Sequence, residues 1–354
     1  MENDKKPLLS IRNLKTYFEM DEGTAKAVDG VSFDVYAGQV VGVVGESGCG
    51  KSVTIKSVLR IVQKPGRIVD GQLLWRHAAD TEQEELFDLA QLDASGKLIR
   101  SIRGGDIALI PQEPMAAFSP VHTIGNQIIE AIQLHIDVNK REAAEIAIER
   151  LHEVGMPNPE QRMDAYSWEL SGGLRQRAMI AMALSCNPRL LIADEPTTAI
   201  DVTTQAQVLN LLRRLQKEHN MSIIFITHDL GVIAQVADYV VVMYLGRVVE
   251  TGPVDDIFHN PQHPYTIALL ESIPTIHSKS KEFLPTIEGS IPHPFNRPAG
   301  CPFYPRCMAV IPGTCDKLTP VLLPVNDRQS VSCFLHSSAS EEERETVSAE
   351  AGQG

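Results

Sequence analysis

Gly45-Glu46-Ser47-Gly48-Cys49-Gly50-Lys51-Ser52 is the stretch that decides the fold. It fits G-x-x-x-x-G-K-[ST] at every fixed position. The apolar run Gly38–Val44 before it reads as a buried strand, and the spacing of Ser52–Ile61 after it reads as a helix. Each residue type has a reason to be there. Glycines let the backbone wrap an anion with its N–H groups turned inward. The following helix presents its positive end to the same anion. In this pattern the lysine, Lys51, reaches the β- and γ-phosphates, and the hydroxyl of Ser52 ligates Mg²⁺. The strand and helix on either side separate the motif from a chance glycine-rich turn. They predict an α/β fold with a nucleotide phosphate site.

Two further strand ends point to the same place. Arg189–Ala193 is apolar after its first residue and delivers Asp194 and Glu195 at its carboxyl end. Ligands of open α/β sheets bind beyond that end. Asp194 is placed to hold Mg²⁺, directly or through water. Glu195 is placed to orient or deprotonate an attacking water. Thr227-His228-Asp229 closes a third strand in the same way, which assigns His228 to the γ-phosphate. The plainer readings are an exposed acidic turn and a structural histidine, and the shared sheet edge weighs against both.

The chain has 354 residues, enough for one sizeable α/β domain and a smaller appendage. The formal net charge is −13, which argues against nucleic acid as a partner. No apolar run has the length of a bilayer-crossing helix. No apolar segment follows the charged N-terminus, so a signal peptide is not expected and the cytosol is the expected compartment. Residues 79–105 read as a polar insertion. Over residues 113–186 the pattern becomes helical. Ile124, Ile128, Ile129 and Ile132 make one apolar stripe, and Asn139 with Glu142 forms a capping box for a helix that Gly155 ends. Tyr239–Met243 and Val248–Glu250 read as a hairpin about Gly246. Prolines multiply after Gly252-Pro253. The expected domains are therefore 1–252, an extension over 253–336, and a disordered acidic tail over 337–354.

Leu170-Ser171-Gly172-Gly173-Leu174-Arg175-Gln176-Arg177 narrows the reading from a generic phosphate-loop protein. It resembles the L-S-G-G-Q-x-Q-R signature of ATP-binding cassettes, with Leu174 where glutamine is common. The resemblance spans about residues 8–335, and its motifs fall in family order. It implies a phosphate-loop cassette, with a RecA-like core, a β-subdomain and a helical subdomain, that binds and hydrolyses ATP with Mg²⁺. By the same resemblance Phe18 stacks on adenine, with Tyr17 as the alternative. Gly45 to Ser52 and Val53 hold the phosphates. Gln112 approaches Mg²⁺ and links the core to the helical insertion. Ala199-Ile200-Asp201 follows the catalytic glutamate, with isoleucine where leucine is usual. In that family Ser171, Gly172 and Gly173 of one subunit close over the phosphate loop of another, so a second cassette, a copy or a related chain, is implied.

Asn260-Pro261-Gln262-His263-Pro264-Tyr265-Thr266, Leu269–Pro274 and Gly300–Cys307 resemble the oligopeptide/dipeptide importer branch. That implies two membrane permeases, an extracytoplasmic solute-binding protein and a place on the cytoplasmic face of the inner membrane. The branch also contains importers of nickel complexes and oligosaccharides. A soluble cassette ATPase outside transport is the competing class, and such proteins usually carry two cassettes or a long coiled coil. Cys301, Cys307, Cys315 and Cys333 follow C-x5-C-x7-C-x17-C without the tight pair usual in zinc sites. Loop thiolates of this kind suit an iron–sulfur cluster, with zinc or free thiols as alternatives. The branch resemblance implies [4Fe-4S]. Two more expectations concern thiols. Cys49 lies near Lys51 and a helix start, where a thiol pKa tends to fall, so its alkylation is expected to inhibit ATP hydrolysis and bound nucleotide to protect it; the plainer reading is a small residue tolerated at a variable position. The C-terminal cysteines are expected to lie apart from the phosphate loop, so that their loss spares nucleotide binding.

Overall fold

The computed structural model describes residues 6–78, 84–113, 117–198, 200–273, 287–293 and 295–336. Among these are twelve strands: β1 (Leu9–Met20), β2 (Gly23–Val35), β3 (Val40–Val44), β4 (Gly66–Ala78), β5 (Glu84–Asp88), β6 (Ile107–Ile110), β7 (Leu190–Asp194), β8 (Ser222–Ile226), β9 (Tyr239–Tyr244), β10 (Arg247–Pro253), β11 (Leu323–Pro324) and β12 (Ser330–Val331). Strands β3, β7 and β8 are buried at all five positions. Such strands need cover on both faces, which parallel sheets have. They lie in an eight-stranded sheet of order β11-β12-β10-β9-β3-β8-β7-β6. Pairing is parallel from β9 through β6 and antiparallel beyond β9. This arrangement brings Val44, Asp194 and Ile226, the last residues of β3, β7 and β8, to one edge. The helix Lys51–Val58 leaves from that edge.

Strands β1, β2, β4 and β5 form a second sheet, antiparallel throughout, in the order β2-β1-β4-β5. One face packs Leu9, Ile11, Leu14, Val31, Leu73 and Trp75 into a core shared with Val41, Val43, Ile192 and Ile224 of the main sheet. Strand β5 lies within the stretch expected to be a polar insertion. Its sequence Glu-Glu-Leu-Phe-Asp hides a strand because its neighbours are charged and Leu86 faces out, 55% exposed. Leu89, Ile99 and Ile102 farther along are buried, so this mostly exposed or half-buried stretch is anchored to the core at three points.

The helical region contains Ile124–His135, Lys140–Glu153 and Gly172–Leu184. All four isoleucines of the expected stripe are buried. The Asn139/Glu142 capping box is present in both directions. Gly155 follows in the left-handed region at φ 71°. Leu245 and Gly246, at φ 43° and 74°, make the two-residue turn between β9 and β10. Past residue 252 the packing continues. Strand β12 pairs with β10 (Glu250 opposite Val331), and Tyr265, Cys301, Phe303 and Cys315 join the cluster that holds Val44, Val242 and Tyr244.

Candidate nucleotide site

The phosphate loop wraps tightly enough that only glycine fits at two points. A side chain on Gly45, at φ 149°, would begin 2.2 Å from the Met243 carbonyl oxygen. One on Gly50, at φ 97°, would begin 2.2 Å from that of Ala27. Ser47 and Gly48 form the exposed crest, and Val53 is half-buried in the first turns of the following helix. Lys51 is buried. Its Nζ donates to the carbonyls of Gly45 (2.7 Å) and Glu46 (3.1 Å). The ammonium is thus already held over the loop. Ser52 Oγ donates to Asp194 Oδ1 at 3.0 Å, which joins the two residues assigned to Mg²⁺. Burial pushes the Asp194 carboxyl above its ordinary pKa, against the Ser52 hydrogen bond. A cation at this point would reverse that pressure.

Glu195 stands at φ 48°, a left-handed conformation uncommon for a non-glycine residue. Its amide donates to the Ile226 carbonyl at 2.9 Å, which ties the turn to β8. The carboxylate accepts from Gln112 Nε2 (3.2 Å) and Thr198 Oγ1 (2.9 Å), and His228 Nδ1 lies 3.2 Å from Oε1. Burial pushes this carboxyl up, but the hydrogen bonds of His228 and Thr198 and the nearby positive charge outweigh it, leaving it below its ordinary range. Gln112, Glu195 and His228, taken from three separate motifs, therefore meet. Thr198 is a fourth member that no spacing argument found. Its only signal was its place three residues after Glu195.

Phe18 lies on β1, half-buried, against Gly66, where a Cβ would come within 2.6 Å of its ring. Tyr17 turns elsewhere. Its hydroxyl donates to Asp29 Oδ1 at 2.6 Å, which leaves Phe18 as the aromatic free of a polar tether. Ser171 caps the helix Gly172–Leu184 by accepting from the Leu174 amide at 3.4 Å, and Ser171 and Gly172 are exposed. Asp201 caps the helix Val202–Glu218 through Thr204 N (3.0 Å) and Oγ1 (2.7 Å). Among the described hydrogen bonds none joins residues 171–173 to the phosphate loop of the same chain. Ala199 lies outside the described residues.

Cys49 departs from expectation. It is 2% exposed, and burial raises its thiol pKa despite Lys51 Nζ at 3.7 Å from Sγ. Proximity to a cation favours the thiolate only where water or further donors share its charge, and here the desolvation cost wins.

Cys301, Cys307, Cys315 and Cys333 are all free thiols and line one cavity with His263, Phe303 and Phe334. The cavity among them is small, about 10 Å³. Burial pushes Cys301 up to about 12 and Cys333 up to about 11, and the neighbouring cysteines add to it. Without a cation these groups stay neutral. No three His, Cys, Asp or Glu side chains among the described residues converge as a site for a single metal ion. A tetrahedral zinc would need sulfurs roughly 3.8 Å apart, given Zn–S of about 2.3 Å. The segment that carries the cysteines does touch the phosphate loop: Arg306, beside Cys307, pairs with Glu46 at 2.7 Å, because the extension packs back against the carboxyl edge of the main sheet. Sequence distance concealed that contact.

The fold and the site together define a nucleotide-binding cassette of the phosphate-loop class. A family model for ABC transporters matches residues 28–198, and one for the oligopeptide/dipeptide transporter C-terminal region matches residues 249–315. The oligopeptide transport ATP-binding protein AppD of Bacillus subtilis is 48% identical over 330 residues, covering 93% of this chain and 97% of AppD. The dipeptide transport ATP-binding protein DppD of Haemophilus influenzae is 45% identical over 300 residues, 85% and 87% of the two chains. Among solved structures, the dimeric ATP-binding cassette MJ0796 bound to ADP and Pi superposes with a TM-score of 0.59 at 22% identity, over 70% of this chain and 98% of that one. That last likeness concerns the fold alone. The chain belongs to the ABC transporter ATP-binding proteins of the oligopeptide/dipeptide transporter family. It is an ATPase of that family.

Proposed function

We propose that this chain hydrolyses ATP to drive peptide import through two membrane permeases, supplied with solute by an extracytoplasmic binding protein. The observation that carries the reading is that relatives named for oligopeptide and dipeptide transport match through both the cassette and the extension. No described helix is long and apolar enough to cross a membrane. Attachment to the cytoplasmic face of the inner membrane is therefore assigned to the permeases.

In this reading adenine stacks on Phe18. Residues 45–53, through the loop amides other than those of Glu46 and Cys49, and the Lys51 ammonium neutralise the phosphates. Ser52 and Asp194 hold Mg²⁺, with Gln112 approaching it. Glu195 orients the attacking water, and His228 contacts the γ-phosphate. Ser171, Gly172, Gly173 and Asp201 complete the site of a second cassette, which accords with the exposure of Ser171 and Gly172. We assign a [4Fe-4S] cluster to Cys301, Cys307, Cys315 and Cys333. Bound there, it would supply a covalent staple to a proline-rich segment with little regular structure. The support for it is the four-thiol donor set itself, since these cysteines line one cavity, and zinc on the same thiols is the alternative.

The test is reconstitution with the permeases and binding protein in proteoliposomes. Peptide uptake should depend on ATP and stop with Glu195→Gln. Uptake of nickel complexes or oligosaccharides without peptides would replace the substrate. Protein prepared without oxygen should contain iron and acid-labile sulfide in equal amounts, near ~4 each per chain. Stoichiometric zinc without iron would replace the cluster.

A further inference from the structure

Glu46 occupies a variable position of the phosphate loop, yet each of its polar groups is held. Its carboxylate accepts a forked pair from Arg306, Nη1 to Oε2 at 2.7 Å and Nη2 to Oε1 at 3.1 Å. Its amide donates to the hydroxyl of Tyr265 at 2.9 Å. Its carbonyl accepts from Lys51 Nζ and from the Cys49 amide (3.3 Å). The first two contacts come from the extension.

Arg306 is built for this contact. Its side chain is 4% exposed, which is rare for arginine unless every charge and donor is met. Nε donates to the Glu288 carbonyl (3.0 Å), Nη1 also to Tyr244 Oη (3.3 Å), and Nη2 also to the Ile287 carbonyl (3.3 Å). With the two bonds to Glu46, all five N–H groups are used. The guanidinium lies over the Tyr244 ring, 5.8 Å from its centroid. Tyr244 packs on Tyr265 and Phe303 at centroid distances of 4.7 and 5.3 Å. The fork, the tyrosine and the aromatic contacts form one continuous connection between the cysteine-bearing segment and the loop that receives the phosphates.

We propose that Arg306 and Tyr265 are positioning residues for nucleotide binding, through which the docked extension holds the phosphate loop at Glu46 in its anion-receiving shape. The inference goes beyond the transport reading and does not depend on what the cysteines hold. A free loop must lose conformational entropy when ATP binds, and a pre-held loop has already lost it. Releasing the fork should therefore weaken affinity while leaving the chemical step to Glu195.

The test uses the full chain and measures fluorescent ATP-analogue binding together with KM and kcat for ATP. Arg306→Gln and Glu46→Gln should each weaken nucleotide affinity about tenfold with kcat within about twofold. The double variant should be no weaker than either single one, as expected of residues acting as a pair. The exchange Glu46→Arg with Arg306→Glu should recover part of the loss. Tyr265→Phe, which keeps the ring and removes the acceptor of the Glu46 amide, should also weaken affinity, and it serves where an Arg306 variant fails to fold. Unchanged affinity in Glu46→Gln and Tyr265→Phe would overturn the proposal. So would fully additive losses from Arg306→Gln and Glu46→Gln, which would mean that Arg306 acts only through the stability of the extension.

Discussion

Replacing Glu195 by glutamine removes one charge and almost no shape. The side chain is 14% exposed, and its two oxygens have different partners: Gln112 and Thr198 on Oε2, His228 on Oε1. A glutamine carbonyl placed at Oε2 keeps both donors. Its NH₂ then faces Nδ1 of His228, which accepts in the tautomer protonated at Nε2. The residue also keeps its left-handed backbone, so no new strain distinguishes the variant. What is lost is the anionic acceptor for the attacking water. Loss of such a group costs about 10²–10⁴ in rate, or ~2.7–5.4 kcal/mol at 1.36 kcal/mol per decade. Binding should survive, because Lys51, Ser52 and the loop amides are untouched. Phosphate release at saturating ATP should fall by that factor, while nucleotide affinity stays within about threefold. ATP held without turnover should also keep two cassettes associated. Turnover within about threefold of the parent protein would refute the assignment and move the water-positioning role to His228 or Gln112.

Two other consequences are open to measurement. Asp29 accepts from Arg247 Nη2 (2.7 Å), Arg297 Nη1 and Tyr17 (2.6 Å), so Asp29→Asn should destabilise the protein by about 3 kcal/mol in denaturant titrations near neutral pH. Burial pushes that carboxyl up, but the two arginines and Tyr17 hold it below its ordinary range. Its stabilisation is therefore present above about pH 4 and lost as the pH falls through the folded-state value, so the gap between parent and variant should close in acid. Cys49 should react slowly with a maleimide at neutral pH, read by mass spectrometry of its peptide, since burial both shields and protonates it. Rapid labelling of Cys49 in folded protein would contradict that burial.

The sequence pointed to the candidate nucleotide site where its residues are local: the loop glycines, Lys51 and Ser52 fall within eight positions, and Asp194, Glu195 and His228 stand at or just past the ends of apolar strands, whereas Phe18, Ser171 and Asp201 came from the resemblance alone. A strand of five buried residues announces itself by composition alone. Strand β5 did not, because a half-exposed strand with charged neighbours has no such signature. Cys49 misled for a different reason. Nearness to Lys51 is visible in the sequence, whereas the absence of solvent around Sγ is a property of the packed loop. Arg306 and Tyr265 were out of reach altogether, since a contact across 260 positions leaves no periodicity. The resemblance marked their segment and gave no partner for either residue.

The pairing of β12 with β10 also bears on where the chain can be cut. After Gly252 the sequence changes character, and a truncation there would seem to free a tidy cassette. In the folded protein that cut would bare the outer edge of β10, whose residues Glu250 and Thr251 register with Val331 and Ser330. It would also strip Tyr265 and Phe303 from Tyr244 and leave Glu250, fully buried, without the amides of Gln262 and His263 at 2.7 and 2.9 Å. An open strand edge beside newly wetted aromatic rings is a template for self-association. The short strand from the far end of the chain is thus a guard on solubility, and a shortened chain would tend to precipitate rather than act as a minimal motor.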